Sequence, residues 1–130
     1  MQVDGELFEF RQGEHVLKIR KFQATDTAAL RALFVETVHQ VNSRDYNASQ
    51  IAAWAPLSYD FSAWLARLSA INPFIAELDE VIVGYADIQA DGYIDHFFCH
   101  AQYQRQGVGK ALMQKLLETA QQQGNARLYA

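Results

Sequence analysis

The sequence of 130 residues has a single cysteine, two prolines and no long hydrophobic run. A lone Cys99 cannot form an internal disulfide, and a reducing cytoplasm is the simplest compartment for such a chain. No apolar stretch approaches the roughly 20 residues that a membrane-spanning helix needs. The start, MQVDGELFEF, lacks the basic and then apolar order of a signal peptide. We therefore expect a cytoplasmic protein with no membrane partner.

Positive charge is also scarce. The chain has 11 lysines and arginines against 15 aspartates and glutamates, so its net charge is −4. Its one basic cluster, Lys18, Arg20 and Lys21, lies along a predicted strand, which favours a solvated face. Nucleic-acid-binding domains usually present a basic surface. The charge therefore predicts no nucleic-acid partner.

What the chain does have is material for one globular core. Hydrophobic residues make up 50% of it, and it shows no repeat, low-complexity tract or linker. Its length is that of one domain, spanning residues 1–130.

Local patterns predict an N-terminal hairpin, then helices, three strands, a helix and a strand. The predicted strands are Leu7 to Phe10, Val16 to Phe22, Phe74 to Leu78, Val81 to Ile88, Tyr93 to Cys99 and Arg127 to Ala130. The predicted helices are Leu30 to Asn42, Asn47 to Trp54, Phe61 to Leu68 and Val108 to Gln123. This order indicates an α/β (α+β) domain with a mixed sheet. Because a helix joins the last two strands, we expect them to be parallel.

Two glycines, Gly107 and Gly109, begin the clearest helix. Glycine is unfavourable there unless the backbone itself has a role. A helix start offers unpaired N–H groups and a positive dipole end, and phosphate is its common ligand. The segment Gly-Val-Gly-Lys-Ala does not fit the Walker pattern, and Leu112 breaks the dinucleotide-binding pattern. The alternative is a turn whose glycines serve only tight packing.

The remaining motif is Gln104-x-x-Gly107-x-Gly109, which matches the signature Q/R-x-x-G-x-G/A. With it, the sequence resembles the GCN5-related N-acetyltransferase (GNAT) superfamily, in which this loop wraps the pyrophosphate of coenzyme A. The segment YIDHFFCHAQYQRQGVGKALMQKLL resembles the family's fourth strand and following helix, and PFIAELDEVIVGYADI resembles the preceding hairpin. The pattern N-x-x-D-Y…A-W-A-P resembles that of little-characterised bacterial members.

The resemblance covers Ile19 to Ala130 and leaves residues 1–18 as an N-terminal extension. It implies a mostly antiparallel sheet with one parallel, splayed strand pair and helices on both faces. The family continues past the fifth strand with a helix, which usually carries the tyrosine that protonates the leaving thiolate, and two more strands. This sequence is shorter, which is consistent with completion by a second chain, a shortened and inactive member, or a fragment. We expect a homodimer formed through the Arg127 to Ala130 edge or the Leu7 to Phe22 hairpin.

The resemblance also implies acetyl-CoA as co-substrate. The backbone edge of the fourth strand would pair with the pantetheine arm, one N–H would face the thioester oxygen, and loop amides would hold the pyrophosphate. The residues assigned to the cofactor are Phe98, Cys99, His100, Gln104, Arg105, Gln106, Gly107, Val108, Gly109 and Lys110.

Acetyl transfer to an amine calls for a base. An amine of pKa about 10.4 is neutral in about one molecule in 2,500 at pH 7, a deficit of about 4.6 kcal/mol. The family often places the base on the fourth strand, where Asp95 and His96 are the candidates, with Asp95 preferred. Regular alternation would put these two side chains on opposite faces, although a bulge would change that. The alternatives are a structural carboxylate and a packed or surface histidine.

The acceptor site is expected among aromatic residues of the first helices, namely Tyr46, Trp54 and Tyr59, with Glu36 and Asp45 as acids that could attract a cationic amine. The alternative roles are core packing for the aromatic residues and surface charge for the acids.

The segment DHFFCH does not predict a metal site. His96 and His100 would be about 13 Å apart on a regular strand, too far to share one ion. Cys99 could in principle be an acetylated nucleophile, but a buried strand cysteine is the simpler interpretation.

The sequence thus predicts an acetyl-CoA-dependent N-acetyltransferase that acts on a primary amine of a small molecule or peptide by direct attack in a ternary complex. The alternative is a non-catalytic acyl-CoA-binding or assembly module of the same fold.

Overall fold

A computed structural model describes residues 8–12, 15–41, 47, 50, 59–100, 103, 107–125 and 127–130. Its strands are β1 (Phe8–Gln12), β2 (His15–Lys21), β3 (Phe74–Leu78), β4 (Val81–Ala86) and β5 (Phe97–Cys99). Its helices are α1 (Thr27–Val41), preceded by a 3-10 turn (Ala24–Asp26), α2 (Phe61–Ile71) and α3 (Val108–Gln122). The predicted helix from Asn47 to Trp54 lies outside these residues except at Asn47 and Gln50. In the ranges described, no helix has the length and hydrophobicity needed to cross a membrane.

The five described strands form one sheet in the order β1-β2-β3-β4-β5, and each neighbouring pair is antiparallel. Asp79 and Glu80 make the two-residue turn between β3 and β4, with φ angles of 51° and 70°. Beyond this sheet, Tyr93 and Tyr129 form an isolated parallel bridge. The predicted N-terminal hairpin, the central hairpin and the parallel relation of the two last segments are therefore confirmed.

The prediction of one continuous strand from Tyr93 to Cys99 is wrong, because β5 begins only at Phe97. The backbone N–H groups of Asp95 and His96 donate to the carboxylate of Asp87 rather than to a neighbouring strand. A side chain thus replaces the backbone partner, and the strand is interrupted at this point.

Side chains alternate across the sheet into two apolar layers. One layer lies under α3 and includes Leu17 and Ile19, which are both fully buried. The other joins Ile75 and Tyr85 to α1 and α2. Helix α3 buries one face, formed by Val108, Ala111, Leu112, Lys115, Leu116 and Ala120. The sheet is therefore covered by helices on both faces.

Arg20 was expected to face solvent, and this expectation is wrong. Its guanidinium donates to Asp26, just before α1, at 2.9 Å and to Glu77 of β3 at 2.7 Å. These charge-assisted bonds attach the start of α1 to the sheet. Although burial opposes ionisation of Asp26, the hydrogen bonds from Arg20 and the Gln23 backbone hold its pKa below the usual range.

Candidate functional site

No other described strand pairs with the outer edge of β5. His100 N–H donates to Val83 O at 2.7 Å, which fixes the alternation of polar groups along β5. Phe98 therefore turns its N–H and C=O toward β4, while Phe97 and Cys99 turn theirs toward the open edge. Of the residues predicted to hold the pantetheine arm, Cys99 thus presents its N–H and C=O to that edge. Phe97, which was not predicted, does the same.

The start of α3 lies against the same edge. Gly107 is the N-cap residue, with a left-handed φ of 85°, and it has no side chain that could supply a cap hydrogen bond. The N–H groups of Val108, Gly109 and Lys110 come before the first intrahelical bond, which Ala111 N–H makes to Gly107 O. These are the groups that a helix start offers to an anion, and they fit the pyrophosphate implied by the motif.

Two glycines lie where α3 meets the sheet. A Cβ on Gly109 would lie 3.6 Å from Cys99 Sγ, so this glycine faces β5 with room for a methyl group. A Cβ on Gly84 would lie 2.9 Å from Phe98 O and 3.1 Å from Val108 Cγ1, which leaves no room. Sequence reasoning missed Gly84. A lone glycine inside an apolar strand was the available signal, since it often marks a close backbone approach.

His96 is half-buried among aromatic rings. Its ring centroid lies 6.1 Å from those of Phe34 and Trp64 and 5.7 Å from those of Tyr85 and Phe98. Its Nδ1 is 3.0 Å from the hydroxyl of Tyr85. Burial lowers the pKa of His96, with Arg67 adding to the effect, whereas Asp95 and Asp87 act in the opposite direction. The lowered pKa favours the neutral ring at pH 7, which is the form that a base needs.

Asp95 lies beside His96 and forms an ion pair with Arg67 of α2. Phe34 on α1 and Trp64 on α2 contact the neighbouring His96 ring. Two consecutive side chains thus face the same helical layer, and the prediction of opposite faces is wrong. The interrupted strand is the cause, because the regular alternation of side chains holds only along an unbroken strand.

Tyr85 and Asp87 are buried partners of this segment that sequence reasoning missed. Burial, reinforced by the negative charge of Asp87, raises the pKa of Tyr85 far above its ordinary value, so Tyr85 keeps its proton. The available signal for Asp87 was a carboxylate directly after the apolar strand VIVGYA. Buried acids are rare unless their oxygens are bonded.

Cys99 and His100 follow at the other end of β5. Burial raises the pKa of the Cys99 thiol, which disfavours the thiolate that a nucleophile requires. His100 Nε2 lies 2.7 Å from a carboxylate oxygen of Glu36, and its ring contacts Tyr103 edge-on. His100 and Glu36 therefore connect β5 to α1.

A pocket of about 320 Å³ lies along α1 on the predicted acceptor side. Its lining residues are Ala28, Arg31, Ala32, Val35, Glu36 and Tyr59. The guanidinium of Arg31 lies 4.6 Å from the ring centroid of Tyr59 and 5.1 Å from that of Trp64. Tyr59 and Glu36, both predicted for the acceptor site, thus line one cavity.

The structure does not describe the other predicted site residues. Gln104, Arg105 and Gln106 of the cofactor loop and Tyr46 and Trp54 of the acceptor side lie outside the described residues. Among the described residues, no group of three or more histidine, cysteine, aspartate or glutamate side chains is placed to hold a metal ion.

Comparison with known proteins gives the family. A model of the acetyltransferase (GNAT) domain matches residues 42–130. The uncharacterized N-acetyltransferase YafP of Escherichia coli K12 is 32% identical over 103 residues, which cover 79% of this chain and 67% of YafP.

Solved structures share the fold. A GCN5-related N-acetyltransferase from Rhodopseudomonas palustris, also described as a class-II aminotransferase, is 33% identical with a TM-score of 0.76 over 82% of this chain and 66% of its own. The PaiA N-acetyltransferase of Thermoplasma acidophilum, solved with coenzyme A, is 17% identical with a TM-score of 0.69, covering 83% of this chain and 74% of its own. The putative acetyltransferase YncA of Salmonella typhimurium, solved with acetyl-CoA, is 21% identical with a TM-score of 0.62, covering 84% and 65%.

The chain spans about two thirds of the length of both the E. coli and the R. palustris relatives. The match to the family model over residues 42–130 agrees with the loop motif at the start of α3 and with the open edge of β5. The chain therefore belongs to the GNAT superfamily of acetyltransferases.

Proposed function

We propose that the protein transfers the acetyl group of acetyl-CoA to a primary amine of a small molecule or peptide within a ternary complex. The observation that carries the proposal is the glycine-capped start of α3 beside the open edge of β5, with His96 just before that strand. Two structural relatives, PaiA and YncA, were solved with coenzyme A and with acetyl-CoA. Both ligands agree with this assignment of the cofactor.

The described residues offer the cofactor two surfaces. N–H groups of Val108, Gly109 and Lys110 would hold the pyrophosphate, because Gly107 places no Cβ in front of them. Backbone groups of Phe97 and Cys99 would pair with the amides of the pantetheine arm, as a further strand would. Acetyl-CoA itself supplies the activated thioester carbonyl.

His96 is the base that the surroundings favour. The amine proton passes to Nε2 of the neutral ring. Nδ1 stays protonated and donates a hydrogen bond to the oxygen of Tyr85. The amine nitrogen then bonds to the acetyl carbon, the bond from that carbon to sulfur breaks, and the second proton lost by the nitrogen neutralises the departing thiolate. Asp95 is the weaker candidate because Arg67 already binds its carboxylate.

Coenzyme A binding tests the cofactor site directly. We expect Gly107→Ala to weaken binding of coenzyme A by about 5- to 150-fold in Kd, because a residue with a Cβ loses about 1–3 kcal/mol in a left-handed φ. The matched control is Gly124→Ala at the other end of α3, where φ is 81° and nothing lies within 4 Å of the added Cβ. It carries the same backbone strain away from the cofactor. Isothermal titration calorimetry measures both.

Two results would contradict the proposal. The wild-type protein could show no binding at millimolar coenzyme A, or Gly107→Ala could match Gly124→Ala in affinity while remaining folded. A thiol-release screen over simple amines, polyamines, aminoglycosides and peptides then identifies the acceptor. Coenzyme A binding without turnover across that panel would instead support an acyl-CoA-binding module.

We also propose a cytoplasmic homodimer. Strand β1 is the outermost strand of the described sheet, and an unpaired edge favours pairing between chains. The lone Cys99 suits a reducing compartment. Light scattering at micromolar concentration should give a mass near twice 14.7 kDa. A value near 14.7 kDa would contradict the dimer and leave the acetyl transfer proposal unaffected.

A further inference from the structure

Asp87 is a fully buried carboxylate at the end of β4. It accepts hydrogen bonds from the backbone N–H groups of Asp95 and His96 and from Nε2 of Gln89. Each of these partners is a donor, so the carboxylate acts only as an acceptor, which is the role of its ionised form. The Gln89 amide also donates to Ile71 O at the end of α2 and so fixes the carboxylate between the sheet and the helical layer.

These bonds determine the path of the chain before β5. Regular pairing with β4 would turn the N–H of alternate residues away from Asp87, whereas the carboxylate collects two consecutive N–H groups. Asp95 and His96 consequently both face α1 and α2. Ile94, one residue earlier, is buried in the layer under α3, and its N–H donates to Tyr129 O.

We propose that Asp87 is a positioning residue for acetyl transfer. Its carboxylate interrupts the strand before β5 and orients the His96 ring toward the reacting amine. The catalytic part of this inference rests on the proposed function. The structural part concerns only the contacts of Asp87 and His96, and it can be tested without any acceptor.

The charge of Asp87 also acts on the imidazole. Among the described residues, the titratable or charged groups that act on His96 or on its partner Tyr85 are Asp95, Asp87 at the end of β4, Arg67 from α2 and Arg31 from α1. Asp87 and Asp95 favour the protonated ring, while burial and Arg67 disfavour it. A buried anion near the ring therefore stabilises the imidazolium that forms when the amine loses its proton.

Asp87→Asn tests the orienting and the electrostatic role of Asp87, because it keeps the shape of the side chain and removes its charge. We expect the pKa of His96 to move to lower pH, since its protonated form loses a stabilising anion. We expect kcat/KM to fall about 10- to 100-fold, because the imidazolium loses a nearby anion and one amide oxygen cannot accept from the Asp95 N–H, the His96 N–H and the Gln89 amide together. The Kd for coenzyme A should stay within about threefold of wild type. The imidazole titrates in NMR spectra without any acceptor, and His96→Gln identifies its signal among the four histidines.

Asp91→Asn is the matched control. Asp91 is an exposed carboxylate in the adjacent turn that accepts from Tyr93 N–H and from the hydroxyl of Tyr129. Its loss should leave both the His96 titration and kcat/KM unchanged. A general effect of removing an acid near this segment would appear in both variants.

Two measurements remain decisive if Asp87→Asn does not fold. In the wild-type protein, the amides of Asp95 and His96 should exchange slowly with solvent although they lie outside a regular strand. Gln89→Met keeps the charge but removes one donor to the carboxylate, so it should lower kcat/KM with a smaller change in the His96 titration.

The inference is overturned if folded Asp87→Asn titrates like wild type at His96, or if the two amides exchange as fast as those of an exposed turn. A shifted titration with no turnover on any amine would instead support the structural part of the inference and contradict the proposed acetyl transfer. The two claims can therefore fail separately.

Discussion

Replacing His96 with glutamine is expected to lower kcat by about 10²- to 10⁴-fold, the usual contribution of a general base. The KM for acetyl-CoA should change by less than about threefold, because the cofactor contacts proposed above are backbone groups of β5 and α3. The measurement is steady-state thiol release with the best acceptor of the amine screen. Glutamine keeps a polar side chain of similar length, so the aromatic contacts around the ring are disturbed as little as possible.

The pH dependence gives this variant a second readout. Wild-type kcat/KM should fall as pH drops through the pKa of His96, and because burial lowers that pKa, the acid limb should lie below about pH 6.5. The limb should disappear in His96→Gln. His39→Gln, in the last turn of α1, is the control and should match wild type. Full activity in His96→Gln, with loss in Asp95→Asn, would move the base to Asp95.

Gly84→Ala is expected to destabilise the fold by about 1–3 kcal/mol, the usual cost of overpacking a core. The added Cβ would lie 2.9 Å from the carbonyl oxygen of Phe98, which belongs to the backbone of β5 and cannot rotate away. It would also press on Val108 and Leu112 of α3. Calorimetry should show a Tm lower by about 5–15 °C. Coenzyme A affinity should fall as well, because α3 and β5 form the proposed cofactor site.

Gly109→Ala is the matched control for stability. Its Cβ would lie 3.6 Å from Cys99 Sγ, which is an ordinary contact, and alanine is favoured over glycine inside a helix by up to about 1 kcal/mol. Its Tm should therefore equal or exceed that of wild type. A wild-type Tm for Gly84→Ala would show that α3 is not tightly seated on β4.

Elements with strong local signals could be predicted from the sequence. Helix α3 combines an apolar face with a glycine at each end, and its bounds differ from the prediction by one residue. The turn at Asp79 and Glu80 joins two short apolar runs, and both strands follow as predicted except at the end of β4. In these cases the determining contacts lie within a few residues along the chain.

The remaining features depend on contacts between distant residues. Asp87 and His96 are nine positions apart, and Arg67 and Asp95 are 28 apart, so neither pair forms a local pattern. When the contacts of Asp87 are not known, the sequence before β5 predicts an ordinary strand, which would place Asp95 and His96 on opposite faces. Sequence reasoning identified Asp95 and His96 as candidates but could not find the buried residues that orient them.

The separation of paired strands along the chain has a consequence for the order in which the domain folds. Strands β3 and β4 meet across a two-residue turn, whereas Arg20 on β2 and Glu77 on β3 are 57 positions apart. Joining β2 to β3 closes a long loop that carries α1 and α2, and the entropy of that closure must be overcome before the new contacts form. We therefore expect β3, β4, β5 and α3 to form early, and the part that carries the pocket along α1 to join them late.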